Sequence, residues 1–398
     1  MDKASNSKGT LVRPYALPQS ASTPVTTPLS TSVVHSSDTP DMLDAQYDGA
    51  LSGYTYAREG HLNADVVAAR IDQMEGAPHL GVMTSSGMAA VTAVLLGLTQ
   101  AGDHVLGGNQ LYGRSLRLMT EDLPRLGVST SLADPTDRAG FAQALRPETK
   151  IILIEVVSNP TLRVADLRGI AQLAKEAGVL LVIDNTFTTP RGLQAFANGA
   201  DIVIHSVTKL LSGHSDVLLG YVSAQDAQIA ERLRVFTVTI GATPSPFDCW
   251  LAERGLLSFD LRYARAQSTA RVLADHLADL PGVRRVLYPA RADHPDFAVA
   301  QDVLGKQGGT MVSFEVNPTR RAANALARAA DGIAFAPTLG DVGTTLSHPA
   351  SSSHRAMTAP DPASLGIPEG FFRISVGLED PDALCAVFTQ AVAAAQEA

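Results

Sequence analysis

Cysteine is nearly absent from this chain: Cys249 and Cys385 are the only two in 398 residues, so there is no disulfide framework and no metal-ligand spacing. Long apolar runs are missing as well. Nothing approaches a membrane span, and the N-terminal stretch around Lys3, Lys8 and Arg13 has no apolar core of signal-peptide length, so a cytoplasmic location is expected. Positive charge is in deficit, with 31 Lys and Arg against 40 Asp and Glu, for a net charge of −9. That balance argues against nucleic-acid binding as the main activity and leaves room only for a local basic pocket. There is no internal repeat.

What is present is a large apolar fraction, 45% of the residues, enough to bury the core of two domains plus extensions. Residues 1–60 are rich in Ser, Thr and Pro and read as an extended arm contacting a neighbouring subunit. From about Asp65 the pattern turns helical up to Glu75 and Gly76, and then strands and helices alternate. Strand-like runs occur at 104–106, 151–157, 179–183 and 202–207, with a helix over 166–177 that stops at Gly178. This alternation predicts an α/β fold with a mostly parallel sheet in a large domain, 61–254. A long helical stretch after Pro246, followed by the short strand-like pieces GGTMVSFEV and FFRISVG, predicts a smaller α+β domain over 255–398. The Gly/Pro/Ser-rich loop 338–362 is long enough to suggest that it lines a pocket.

Residues 200–216, ADIVIHSVTKLLSGHSD, read as a buried strand that delivers Lys209 into a polar pocket. A buried cation is either paired with an acid or neutralised by covalent chemistry, which makes Lys209 a candidate Schiff-base lysine. A second aliphatic run, GVLLVIDNTF, ends in Asp184. Pyridoxal phosphate needs such a pair, a lysine for its aldehyde and a carboxylate for its protonated ring nitrogen. Taken singly, the Asp reads equally as a cap and the Lys as a solvated side chain. In a parallel sheet, however, ligands bind at the carboxyl ends of strands, where Asn159, Asp184, Ser206 and Lys209 all fall.

Nine ordered segments, GYTYAR, TSSGMAA, LYG, SNP, DNTF, HSVTK, GHSD, HPASSSH and RISVGLED, resemble the Cys/Met-metabolism (transsulfuration) family of pyridoxal-phosphate enzymes over nearly the whole chain. The resemblance implies the aspartate aminotransferase-like fold type I, with pyridoxal 5'-phosphate as cofactor and no metal. It implies that Lys209 anchors the cofactor and moves substrate protons, and that Asp184 holds the pyridine nitrogen. Tyr112 would stack on the ring and Asn159 would bond its hydroxyl. The phosphate would sit on Ser86, Gly87 and Met88 at a helix start, with Ser206 and Thr208 adding hydroxyls. Tyr56 and Arg58 would reach the phosphate from the neighbouring subunit of a dimer, itself half of a homotetramer.

By the same resemblance, Arg373 clamps the substrate α-carboxylate with its bidentate fork, assisted by Thr338. Arg117 resembles an arginine that relatives use for a distal carboxylate, and Arg114 stands where methionine γ-lyases carry a cysteine. Both arginines read equally as solvated or interface residues. Gly343 replaces a glutamate found in many relatives, and Gly60 to Asn63 depart from the family's Gly-Asn-Pro-Thr. The expected activity is that of a carbon–sulfur lyase performing α,γ-elimination on an amino acid of the cystathionine, methionine or homocysteine type. The alternative is γ-replacement on an O-acylated homoserine by a thiol or other nucleophile. An aminotransferase and a non-catalytic cofactor-binding protein complete the alternatives.

Overall fold

The computed structural model describes residues 20–352 and 367–398. The start of the expected arm (1–19), part of the expected pocket loop (353–362) and the last two residues of HPASSSH lie outside the described residues.

Among the described residues, one sheet contains β1 (Val82–Thr84), β2 (His104–Gly108), β3 (Ser129–Ala133), β4 (Thr149–Glu155), β5 (Leu180–Asp184), β6 (Ile202–Ser206) and β7 (Gly220–Ala224). Their order is β1-β7-β6-β5-β4-β2-β3, with β3 through β6 mutually parallel and β7 antiparallel to both of its neighbours. The aliphatic runs are continuous because both faces are covered. In β4, Ile151 and Leu153 pack with Val91 and Val94 of the helix Gly87–Leu98, while Ile152 and Ile154 pack with Val67 and Ile71 of the helix Leu62–Glu75. With both faces largely sealed, the carboxyl ends of these strands are where polar groups gather next to open space.

A second sheet of β8 (Arg285–Leu287), β9 (Met311–Glu315), β10 (Ala334–Phe335), β11 (Thr345–Ser347) and β12 (Phe371–Ser375) runs in the order β10-β11-β12-β9-β8. Its separate core places Phe314, Phe372 and Ile374 against Leu273 and Leu277 of the helix Phe259–Asp279 and Phe388 of the helix Pro381–Gln396. Phe314 stacks on Phe372 at 5.8 Å and meets Phe388 edge-on at 6.1 Å, geometries that add to simple area burial.

Three local expectations shift. The stretch read as an extended arm contains a helix, Pro40–Tyr47, started by a Thr39 cap and proline in the first turn. The next helix begins at Leu62, ahead of Asp65, because the buried His61 ring accepts the Ala64 N–H and acts as the cap. Strand β4 ends at Glu155, since Val156 and Val157 leave the sheet for a tight loop in which Val157 bridges Val164.

The turn carrying Lys209 is held by a residue distant in the chain. Arg262, in the helix Phe259–Asp279, donates hydrogen bonds of 2.9 Å to the carbonyls of Leu210, Leu211 and Gly255. Gly213 has φ of +77°, and a Cβ there would lie 1.9 Å from the Arg262 guanidinium, so only glycine closes this turn. Among the described residues no helix is long and apolar enough to cross a membrane, and no acid, His and Cys cluster suits a metal ion.

Replacing Arg262 with leucine removes the Arg262 donors from the Leu210 and Leu211 carbonyls, while the Gly255 carbonyl keeps the Ser258 amide and hydroxyl. The expected loss is about 3 kcal/mol of folding stability, read as a lowered denaturation midpoint at unchanged slope. A midpoint equal to the parent's would show that Arg262 does not hold the turn.

Candidate active site

Parallel pairing sets Glu155 directly beside Asp184, and Ser206 ends the next strand along the same edge. Arg373 on β12 and Thr338, which precedes β11, face this edge from the second domain. A cavity of about 800 Å³ lies between them. Its walls include Tyr112, Asn159, Asp184, Lys209, Thr338 and Arg373. The helix start Ser86, Gly87 and Met88, with Ser206 and Thr208, lines one part of it, and Arg114 and Arg117 line another.

Tyr56 and Arg58 are not brought to this cavity. The Arg58 guanidinium lies 5.4 Å from the Tyr56 ring centre and donates to the Val238 carbonyl at 3.3 Å. Gly343 is also outside the lining, its amide bonded to Asp341 at 2.7 Å.

Lys209 has no acidic partner among the described residues. Its Nζ donates to the Thr338 hydroxyl at 3.3 Å, and burial, followed by the nearby positive charge of Arg373, holds its pKa below the ordinary lysine range. Arg373 is buried and also lacks a carboxylate partner. It donates to Asn159 Oδ1 at 2.6 Å and to the Thr338 carbonyl at 2.7 Å, while its Nε–H has no acceptor. Burial lowers its pKa to about 10, against the raising effect of Glu155. Asp184 accepts from the Thr186 amide at 3.1 Å and the Thr186 hydroxyl at 2.5 Å, which partly offset the rise caused by its burial.

At the helix start, Ser86 caps through the Ala89 N–H at 3.1 Å, which leaves the first two amides, Gly87 and Met88, without intrahelical acceptors. A Cβ on Gly87 would lie 2.7 Å from Ser206 Cβ, so glycine permits the close approach of helix and strand. Thr208 is partly committed elsewhere, since its hydroxyl donates to the Leu219 carbonyl and accepts the Leu219 amide.

Sequence reading missed Glu155. It terminates KIILIE just as Asp184 terminates LLVID, and the Glu155 carboxylate accepts the Tyr112 amide at 2.6 Å. The signal lay in the acid at the end of the run; what hid it was the pairing of β4 with β5.

These groups fit pyridoxal phosphate. Two free helix-start amides suit a phosphate, a buried carboxylate suits a protonated ring nitrogen, and an amine without an acid partner suits an aldehyde. The orphaned Arg373 Nε–H adds an anion donor still to be satisfied.

The lowered Lys209 pKa has a sign that can be checked. Its amine is neutral over a pH range in which ordinary lysines remain charged, so in cofactor-free protein a small acylating reagent modifies Lys209 first as pH rises. Arg373→Gln removes the second cause of the shift and moves the labelling midpoint to higher pH. A midpoint unmoved by Arg373→Gln, followed by peptide mass spectrometry, would show that Arg373 does not act on the amine.

The family model for Cys/Met metabolism PLP-dependent enzymes matches residues 11–393. The chain is 40% identical over 339 residues to the cystathionine β-lyase MetC of Bacillus subtilis, covering 85% of this chain and 86% of that one. It is 38% identical over 344 residues to a cystathionine γ-lyase of the same organism, covering 86% and 90%. The crystal structure of cystathionine γ-synthase from Xanthomonas oryzae in complex with cystathionine superimposes with a TM-score of 0.88 at 36% identity, covering 94% of each chain. By these matches the chain belongs to the Cys/Met-metabolism family of pyridoxal-phosphate-dependent enzymes, the transsulfuration lyases and synthases.

Proposed function

We propose that this enzyme is a carbon–sulfur lyase performing α,γ-elimination on a sulfur-containing amino acid of the cystathionine, methionine or homocysteine type. The observation that carries the reading is one cavity holding both a buried amine without an acid partner, Lys209, and a buried guanidinium with an unsatisfied N–H, Arg373. An amino-acid substrate presents the α-carboxylate that such a guanidinium lacks.

When bound, pyridoxal phosphate supplies an electron sink for the pair left at the substrate α-carbon. Lys209 anchors the cofactor and, as a neutral amine, takes the α-proton and carries protons at the neighbouring carbons. Asp184 holds the ring nitrogen in its protonated form, and Tyr112 covers the ring. Asn159 bonds the ring hydroxyl while keeping one end of the Arg373 guanidinium in place. Ser86, Gly87, Met88, Ser206 and Thr208 receive the phosphate on one side. Tyr56 and Arg58 reach it from a neighbouring subunit in a homodimer, two of which pair as a tetramer; their distance from the chain's own cavity supports that assignment.

Arg114 and Arg117 favour a substrate with a distal carboxylate. Arg117 is bonded to Glu121 at 3.0 Å in an exposed pair, whereas Arg114 has no acidic partner among the described residues. The same two cations support the second reading, γ-replacement on an O-succinylated homoserine.

The deciding experiment incubates holoenzyme with cystathionine, methionine, homocysteine and O-acylhomoserines, each with and without a thiol, and identifies the products. Thiol-independent 2-oxobutanoate with ammonia is expected; pyruvate from cystathionine would move the cleavage to Cβ, and a thioether formed only from an acylhomoserine would make replacement the function. Net amino exchange with an added 2-oxo acid would overturn both. Lys209→Ala is expected to abolish the visible cofactor band and turnover together. Arg114→Met is expected to raise the cystathionine KM about tenfold while methionine turnover changes by about twofold or less. Equal losses on both substrates would remove Arg114 from distal recognition.

A further inference from the structure

Glu155 is buried, and its two carboxyl oxygens have unequal surroundings. Oε1 accepts the Tyr112 amide at 2.6 Å, while Oε2 is sealed from solvent with no hydrogen-bond partner among the described residues. Asp184, its register partner on β5, receives two donors from Thr186. The other charged or titratable groups lining the same cavity are Arg373 on β12, Lys209 beyond β6, Tyr112 at the start of the helix Gly113–Arg117, Arg114 and Arg117 within that helix, and Glu121 just after it. Arg373 spends both Nη groups on Asn159 and Thr338, so it forms no ion pair with Glu155.

A buried carboxylate stays ionised when two or three donors hold it, and two carboxylates side by side do not both ionise. Asp184 has the donors and Glu155 does not. Burial and then the charge of Asp184 also push the Glu155 pKa well above the carboxylate range, against the lowering effects of the Tyr112 amide and Arg373.

We infer that Glu155 is a positioning residue that works as a neutral acid. Its Oε1 fixes the Tyr112 backbone and hence the ring that covers the cofactor, its Oε2 carries a proton, and Asp184 is left as the single negative charge on that wall. The protonated ring nitrogen then meets one defined carboxylate, while Tyr112 is tethered to the strand beside it.

The test uses substrate-free holoenzyme, so its outcome does not depend on which sulfur amino acid is cleaved. Glu155→Gln keeps the carbonyl acceptor for Tyr112 and the neutral charge. It is expected to leave the cofactor's visible absorbance maximum and the pH midpoint of its titration in place, with cofactor retention within about twofold. Glu155→Ala removes the acceptor and is expected to weaken cofactor retention about tenfold and shift the band, at a circular dichroism spectrum like the parent's. A pH midpoint displaced by about one unit or more in Glu155→Gln would show an ionised Glu155 and overturn the inference. Parent-like retention and spectrum in Glu155→Ala would overturn the tethering role. Should the alanine variant fail to fold, the glutamine variant alone still decides the charge state.

Discussion

Four ionisable groups, Glu155 and Arg373 buried and Asp184 and Lys209 half-buried, face one cavity, and among the described residues no two of them form a direct ion pair. Lys209 and Arg373 are bases and Asp184 and Glu155 acids, yet the hydrogen bonds each makes go to neutral groups: the Thr338 hydroxyl and carbonyl, Asn159 Oδ1, the Thr186 amide and hydroxyl and the Tyr112 amide. Direct pairing would quench the amine and occupy the guanidinium. Intervening neutral groups hold the charges in place without cancelling them, at the cost of burying charge that a ligand has yet to compensate. The rest of the fold serves to make that arrangement tolerable.

It does so by geometry. Parallel strands sealed on both faces leave their ends for polar groups, and at the carboxyl edge adjacent β4, β5 and β6 place Glu155, Asp184 and Ser206 side by side. Behind that edge a second polar set is fully enclosed, with His205 on Glu75 at 2.5 Å and Asn185 on the same carboxylate at 2.7 Å. That set ties the helix Leu62–Glu75 to β5 and β6 and contributes a weak lowering influence on Asp184.

How legible this was depended on whether the information was local. Lys209 and Asp184 stand out because an apolar run ends abruptly in a charge, and helix stops such as Gly178, with φ of +66°, follow from backbone sterics alone. The partnership of Glu155 with Asp184 is a fact of strand order, and the Glu75–His205 bond spans 130 positions, so neither leaves a mark on a single segment. His61 as a helix cap is illegible for a related reason, because its ring is positioned partly by the Pro244 carbonyl far along the chain. Arg373 became a candidate only through the resemblance of its motif, since nothing in RISVG distinguishes a cavity-facing arginine from an edge residue. The family match settles the cofactor and the class of chemistry; the bond cleaved is the finer matter on which the matched relatives, a β-lyase, a γ-lyase and a γ-synthase, differ.

The cavity lies where the two sheets meet, and the segments around them are joined by Ser313 to the Pro160 carbonyl, Arg373 to Asn159, Val342 to the Gly213 carbonyl and the bidentate Arg163–Asp296 pair, with Met311 of β9 and Leu339 packed into the core of the first sheet. Thr338 stands at that seam, with its hydroxyl turned to Lys209 and its carbonyl to Arg373. The width of the cavity is therefore set largely where the two sheets meet. Over evolutionary time it can widen or narrow through changes at a handful of crossing residues while both interiors stay intact, which gives a lineage a way to trade one sulfur substrate for another without rebuilding its fold.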